Sequence, residues 1–308
     1  KMNNLSNLTI VIVTYKTDIQ ILKNCINSID QSVKIKIIEN SNKNFFLASS
    51  FKESEKLSIT CTGKNLGYGA GNNFGFNLVD TDYVIVANPD IIFNKIFFEN
   101  IKKYLDRDLD FTIIGSTYQN EKLFSSSGLF KENENKEYKK DIFSKSGKLF
   151  NSLNKVDWVT GCMMLINLKK FDSKKIFDEL FFLYFEEFDL CKSIEIKNEN
   201  VFCAKDLLIE HLGYKGSFGS NPKLQLESEK LREWHWMWST FYFYKKNFGY
   251  FFAIKKTTGK LLRAFFKYIF YTITFNNKMK NKYECRFFGL LNSMMGKKSW
   301  YRVDSKYQ

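Results

Sequence analysis

The sequence predicts an α/β chain: a mostly parallel sheet flanked by helices, followed by a basic, aromatic, helical tail. Three observations carry this. Apolar runs of strand length alternate with helix-compatible segments over the first two thirds of the chain, the order that builds βαβ units. A glycine-rich stretch follows one of those runs and opens a helix. The charge is divided unevenly: residues 1–222 hold 29 Lys+Arg against 28 Asp+Glu, and residues 223–308 hold 18 against 5, which accounts for nearly all of the net +14.

LTIVIVTY (8–15) reads as a first strand, residues 18–30 as a helix, VKIKIIEN (33–40) as a second strand and LSITCTG (57–63) as a third. GAGNNFGFNLV (69–79) opens a helix. Its glycines miss the spacing of a dinucleotide fingerprint, because the third position falls on Asn72 or Phe74, but they suit a turn, a helix start or close approach to a sugar nucleotide, with Asn65 and Asn73 supplying amides. YVIVANPD (83–90) ends a fourth strand. Pro89 cannot continue a central strand, so Asp90 should project from the carboxyl end of the sheet, the edge where open α/β sheets bind ligands. Residues 116–156, rich in Ser, Asn, Lys and Glu, read as a surface excursion with little core. WVTGCMMLIN (158–167) and VFCAKDLLIEHLG (201–213) return to strand character.

At 308 residues with 44% apolar content, the chain has enough for a real core, and two prolines argue against long disordered linkers. The six cysteines form no CxxC pair and read as reduced core thiols. Lys1 ahead of Met2 reads as an expression remnant; with no cleavable signal segment evident, the expected compartment is the cytoplasm.

The strongest chemical signal is FDELFFLYFEEFDLC (177–191), which sets Glu186, Glu187 and Asp189 directly behind an aromatic and apolar run. Carboxylates that close, beside that much apolar surface, raise one another's proton affinity, which makes one of them a candidate general base. Acids in a first helical turn also satisfy the helix dipole with no catalytic role. Asp90, far upstream, is a second acidic element suited to a different task.

In order, VIVTY (11–15), IIENS (37–41), NLGYGAGNN (65–73), ANPD (87–90), WVTGCMMLI (158–166), FDELFFLYFEEFDLC (177–191) and IEHLGYKGS (209–217) resemble the family 2 glycosyltransferases of GT-A fold, and within them the bacterial rhamnosyltransferase-like group. The resemblance spans roughly residues 8–217. It implies a donor-binding half at about 1–115, an acceptor half at about 116–222 and a separate region at 223–308. Thr14 and Tyr15 would flank the nucleotide base, Glu39 would accept a hydrogen bond from it where the family usually has Asp, and Asn65 and Gly67 would line the nucleoside and sugar. Asn88-Pro89-Asp90 stands where the family has its acidic DXD-like motif, leaving Asp90 as the single carboxylate there. His211 matches a histidine that completes the site for Mg2+ or Mn2+. Glu187 aligns with the family's base, with Asp189 the runner-up and Glu186 orienting or repelling; Trp158 and Gly161 would face the acceptor.

The resemblance thus implies an inverting transferase. Its donor would be a dTDP-sugar, most plausibly dTDP-L-rhamnose, with a UDP-sugar the alternative, and its acceptor a lipid-linked or polysaccharide glycan of the bacterial envelope. Basic residues interleaved with Trp, Tyr and Phe in 223–308 suit peripheral contact with the inner face of the cell membrane. The apolar stretch 261–275 has 15 residues and includes Arg263 and Lys267, against about 20 apolar residues for a span. Two other classes compete: an inactive, membrane-docked nucleotide-sugar-binding protein, given Asn88 in place of the first acid, and a nucleic-acid-binding protein drawn by the basic tail. Bulky apolar runs among the cations and the lack of a nucleic-acid motif argue against the latter, so no nucleic-acid partner is expected.

Overall fold

The computed structural model describes residues 5–41, 50–105, 108–118, 126–130, 141–213 and 222–302. In chain order the elements are β1 (Leu8–Thr14), α1 (Ile19–Asn27), β2 (Lys34–Glu39), β3 (Leu57–Cys61), α2 (Tyr68–Asn77), β4 (Tyr83–Ala87), β5 (Ile91–Phe93), α3 (Phe97–Ile101), β6 (Ile113–Tyr118), β7 (Ser127–Gly128), β8 (Leu153–Lys155), β9 (Trp158–Val159), β10 (Met163–Asn167), α4 (Glu186–Ile196), β11 (Val201–His211), α5 (Pro222–Phe248), α6 (Tyr250–Ile273) and α7 (Asn277–Met294). The 9-stranded sheet runs β3-β2-β1-β4-β10-β6-β11-β5, with β8 paired to β11, and β7 and β9 form a separate two-stranded ribbon. β1 to β4, β6 and β11 share one direction, and β5, β8 and β10 oppose it. The expected α/β architecture with a mostly parallel sheet is therefore present.

β1 and β4 are buried along their whole length, as their unbroken apolar runs require of central strands covered on both faces. Asp18 caps α1, its Oδ1 accepting the backbone N–H groups of Gln20 and Ile21 at 2.8 and 3.2 Å. The glycines of α2 serve packing: a Cβ at Gly71 would lie 2.9 Å from Val13 Cγ1 and one at Gly75 2.5 Å from Val11 Cγ1, so the helix can lie this close to β1 only without side chains there.

Three expectations need adjustment. The run 158–167 is two strands, because the turn at Thr160, Gly161 and Cys162 separates β9 from β10. β5 follows Asp90 at once and pairs antiparallel with β11. The stretch 116–156 is not coreless: Ile142, Phe150 and Leu153 join the main apolar core, and β8 pairs with β11. Its parts at 119–125 and 131–140, and residues 214–217 of the last motif, lie outside the described residues. All six cysteines are unbridged.

The chain forms two compact units. A sheet unit takes Lys1–Leu66, Ala70–Phe177 and Leu190–Ser217; a helical unit takes Gly67–Gly69, Asp178–Asp189 and Phe218–Gln308. In the helical unit α5, α6 and α7 pack on one another. Pro222 opens α5, where its missing N–H costs nothing. Trp234, Met237, Trp238, Phe241 and Phe243 are buried in this unit, so most of the aromatic run at 234–244 is core, with Trp236 left exposed. No helix among the described residues is long and apolar enough to cross a membrane.

Candidate functional site

Within the sheet unit the candidate residues fall at the carboxyl ends of β1, β2 and β4. Thr14 and Glu39 close β1 and β2 side by side, and the Thr14 hydroxyl donates to Glu39 Oε2 at 2.6 Å. Both are fully buried. The backbone N–H of Lys16, a residue with φ of 49°, reaches Glu39 Oε1 at 3.4 Å, so the carboxylate is fixed before any ligand arrives. Tyr15 is half-buried, its ring under the Lys16 ammonium at 5.4 Å. Asn40, not singled out in the sequence, organises the next loop: its amide donates to Asn65 Oδ1 at 3.2 Å and its oxygen accepts the N–H of Leu66 at 3.0 Å. Asn73 is a structural anchor, with Oδ1 accepting the N–H groups of Ile176 and Phe177 and its amide donating to the Phe177 carbonyl.

The turn after β4 is held by its backbone. The Asn88 N–H donates to the Cys162 carbonyl at 2.8 Å, the Cys25 thiol reaches the Asn88 carbonyl at 3.7 Å, and the Asp90 carbonyl accepts the Leu212 N–H at 3.0 Å. Burial, reinforced by the charge of Asp90, pushes the Cys25 thiol up to about 12, so this cysteine stays protonated. Asp90 is buried, and its Oδ1 lies 3.4 Å from His211 Nε2. Tyr118 stacks on the His211 ring at 5.9 Å and 14°, fixing its plane; its hydroxyl is shared with Thr160 and Cys162. The two residues expected on a metal are thus together, brought there by β5 and β11 pairing. No group of three or more His, Cys, Asp or Glu suited to a metal occurs among the described residues.

Trp158 and Gly161 flank the β9–β10 turn. The Trp158 indole N–H donates to the Leu129 carbonyl at 3.2 Å, and its ring lies over Gly128, where a Cβ would be 2.6 Å from Cζ2. That side chain is spent on closing the β7–β9 ribbon.

The remaining candidates, Gly67, Glu186, Glu187 and Asp189, belong to the helical unit. Gly67 has φ of 92°, and a Cβ there would lie 2.4 Å from the Phe182 carbonyl oxygen; the next N–H, of Tyr68, donates to that oxygen at 2.9 Å. Phe182 is itself gripped by the Arg302 guanidinium 3.5 Å over its ring and by His235 at 4.6 Å. Ser239 donates to the Leu183 carbonyl at 2.9 Å. Tyr184 and Phe185 follow with φ of 68° and 70°, a left-handed pair costing about 1–3 kcal/mol per residue. This strained corner turns the chain into α4 and puts all three acids in its first turn, where the helix dipole favours negative charge.

The three acids have different surroundings. Asp189 is engaged on both oxygens, by Lys246 Nζ at 2.6 Å and by the Asn247 amide at 3.0 Å, and Lys246 also holds Asp178 at 2.7 Å. Glu186 is buried, and its Oε2 has no hydrogen-bond partner among the described residues; burial first, then the charge of Glu187, raises its proton affinity well above the usual carboxylate range. Glu187 is half-buried. His235 is a core residue, bonded to the Tyr301 carbonyl at 2.9 Å and driven down to about 3 by burial, so it is neutral. Lys246, Asn247 and Tyr118 escaped the sequence reading, since nothing local marks a lysine in a basic helix as the partner of acids dozens of residues upstream.

Residues 9–172, more than half of the chain, match the family described as Glycosyl transferase family 2. The chain belongs to that family. A relative by sequence is the low-salt glycan biosynthesis hexosyltransferase Agl10 of Haloferax volcanii, 26% identical over 216 residues, which are 64% of this chain and 64% of that protein. The similarity therefore covers less than two thirds of the relative's length. Similar solved structures include S. aureus TarS, with TM-score 0.48 and 14% identity over 73% of this chain and 39% of that one. GalNAc-T7 with UDP, GalNAc and Mn2+ has TM-score 0.48 and 12% identity, covering 82% and 57% respectively.

Proposed function

We propose that this family 2 member is an inverting glycosyltransferase of glycan biosynthesis, moving a sugar from a nucleotide diphosphate donor to a hydroxyl of a lipid-linked or polysaccharide acceptor. The observation that carries the reading is the different setting of its acids: Asp90 paired with His211 after β4, and a half-buried Glu187 in the first turn of α4 beside the buried Glu186, whose proton affinity is raised. Glu39 and Thr14 would meet the base, with Tyr15 beside it, and Asn65, Gly67 and Asn88 would line the nucleoside and sugar. dTDP-L-rhamnose is the favoured donor and a UDP-sugar the alternative.

The Asp90 and His211 donors fit Mg2+ or Mn2+. Asp90 would supply a carboxylate oxygen and His211 an imidazole nitrogen, donor types that such an ion takes, and the two atoms lie 3.4 Å apart. Such an ion, when bound, would offset charge on the departing diphosphate. Glu187 would take the acceptor hydroxyl's proton as its oxygen bonds to the anomeric carbon and the bond to the diphosphate breaks, inverting that carbon. Glu186, whose proton affinity burial raises, would shape the turn beside Glu187. Asp189, already bound to Lys246 and Asn247, would hold the turn rather than move protons. The C-terminal region would rest on the inner face of the membrane near a lipid-linked acceptor.

Thermal shift with UDP-, dTDP- and GDP-sugars, each with and without Mn2+, tests the reading. One nucleotide class should stabilise the protein, by about 2.7 kcal/mol at a hundred times its Kd, more with metal than without. Asp90→Ala should remove the metal's contribution, and His211→Ala should weaken it less. Stabilisation by none of the sugars, or full metal response in Asp90→Ala, would overturn it.

A further inference from the structure

Trp158, the tryptophan expected to face the acceptor, is spent on closing its own ribbon. Trp236 is not spent. It is 42% exposed, in a run whose other tryptophans are core. Its ring meets those of Tyr184 and Phe185 at 5.3 and 5.2 Å, the two residues immediately ahead of Glu186 and Glu187. Trp158, Trp238 and Trp300 each donate an indole N–H to a protein oxygen, whereas that of Trp236 donates to none among the described residues. The corner it touches carries strain. Left-handed backbone at two successive bulky residues persists only where the surroundings over-determine it, and such strain gathers at ligand sites. Here it turns both rings onto Trp236 while setting the carboxylates at the start of α4.

Trp236 also borders a cavity of about 490 Å³ within the helical unit, the size of a small-ligand site. Lys256, Lys260, Arg263, Arg286 and Tyr283 share its wall. Tyr283 is already covered, by Tyr271 stacked at 5.6 Å and 15° and by the Lys267 ammonium at 4.9 Å. Trp236 is therefore the ring the cavity offers. The basic residues are not an unbalanced cluster, since Glu233 pairs with Arg286 and Lys260 has a partner of its own. What they present is N–H donors, on side chains that hold no acceptor. Such a wall suits a ligand with both oxygen acceptors and an apolar face. A pyranose has hydroxyls around its rim and a C–H face to lay on an indole; a bare phosphate has oxygens and no such face.

We infer that Trp236 and this cavity seat a sugar ring of the acceptor glycan, so that the acceptor is held by the same helical unit that carries Glu187. The inference rests on the proposed transfer reaction and names where its second substrate binds. Donor-induced thermal stabilisation is a separate readout.

The test uses indole N–H NMR spectra of the full chain with its five tryptophans isotope-labelled, the Trp236 signal being the one absent from Trp236→Phe. The probes are the methyl pyranosides of glucose, galactose, mannose, N-acetylglucosamine and rhamnose. At least one should shift the Trp236 signal more than the other four. Saturation transfer to that glycoside's ring protons then measures its binding to variants. Trp236→Ala should weaken it by about 2- to 10-fold, Trp236→Phe should retain most of it, and Arg263→Gln, at an exposed position, should weaken it with the indole intact. Retention of the remaining indole signals and of the nucleotide-sugar stabilisation shows that the variants fold. No shift by any glycoside, equal binding by Trp236→Ala and wild type, or an equal shift by inorganic phosphate, which would assign the cavity to an anion, would overturn the inference. So would loss of the nucleotide-sugar response in Trp236→Ala, which would make the ring part of the donor site. If wild type shows no such response, the transfer reading fails, and the glycoside titration still decides the sugar seat.

Discussion

Lys246→Met tests whether the acidic corner is held from the C-terminal helices. The ammonium donates to Asp178 at 2.7 Å and to Asp189 at 2.6 Å; the three side chains are 38%, 19% and 6% exposed. Removing one partner of a fully buried pair costs about 3–5 kcal/mol, whereas an exposed pair is worth about 0–1. Lys246 is open to solvent and Asp178 partly so, which lets water repair that side. Asp189 is enclosed and would keep only the Asn247 amide. The intermediate burial places the loss near 2 kcal/mol at pH 7, or about 4–8 °C in Tm. The pH dependence has a definite sign. Burial alone would raise Asp178, but Lys246, the Leu180 N–H and the Tyr242 hydroxyl more than reverse this and leave it below its ordinary 3.8. Its contribution is therefore present above that value and lost as pH falls through the lowered one. Burial disfavours the Lys246 ammonium, but Asp178 and Asp189 lift it above its ordinary 10.5, so its share persists through neutral pH and disappears above that range. Urea midpoints of wild type, Lys246→Met and Lys246→Arg at pH 7 and near pH 3 measure this. The Met variant should be weakened at pH 7 and converge with wild type in acid, with Arg intermediate. A loss below about 0.5 kcal/mol at pH 7, or one that persists in acid, would refute the reasoning.

Gly67→Ala should cost at least ~2 kcal/mol by chemical denaturation, because it adds left-handed strain to a Cβ placed against the Phe182 carbonyl, and donor response in thermal shift should weaken with it. Glu186→Gln should stabilise the protein at pH 8 and be neutral near pH 4, since a carboxyl whose folded proton affinity is raised costs stability as pH climbs from its unfolded toward its folded titration; equal melting shifts at both pH values would contradict the burial argument. Glu187→Gln should lower turnover by roughly 10²-fold or more with donor affinity unchanged, while Asp189→Asn should act chiefly on stability; if Asp189→Asn is the inactive, stable variant, the roles exchange.

What the sequence discloses and what it hides have physical causes. β1 and β4 are legible because a strand covered on both faces must be apolar throughout. Asp90 is legible because Pro89 ends the strand before it. β8 and the buried Phe150 are not, since single apolar residues in a polar stretch have no period. The cluster of Glu186, Glu187 and Asp189 is visible as a cluster, yet the partners that set Asp189 apart, Lys246 and Asn247, stand 57 and 58 positions away, and no local pattern encodes a partner at that range. The aromatic run at 234–244 looks the same in sequence whether it faces lipid or neighbouring helices; only packing decides, and it sends that run inward and leaves α6 outward.

The helical unit is stitched from three separated pieces of chain, and Arg302 lies over Phe182 across 120 residues of sequence. A ribosome adding about 5–20 residues per second needs roughly 6–24 s between making that ring and making its cation. During synthesis the left-handed corner at Tyr184 and Phe185 has no finished scaffold to hold it. The sheet unit's pieces have all been made by Ser217. Maturation thus has a built-in order: the sheet unit is completed while the ribosome is still working, and the segment bearing Glu187 acquires its full support after the last helix emerges. Nascent chains released by a stop shortly after β11 should retain protected amides in β1 and β4 but show rapid hydrogen exchange at residues 182–187.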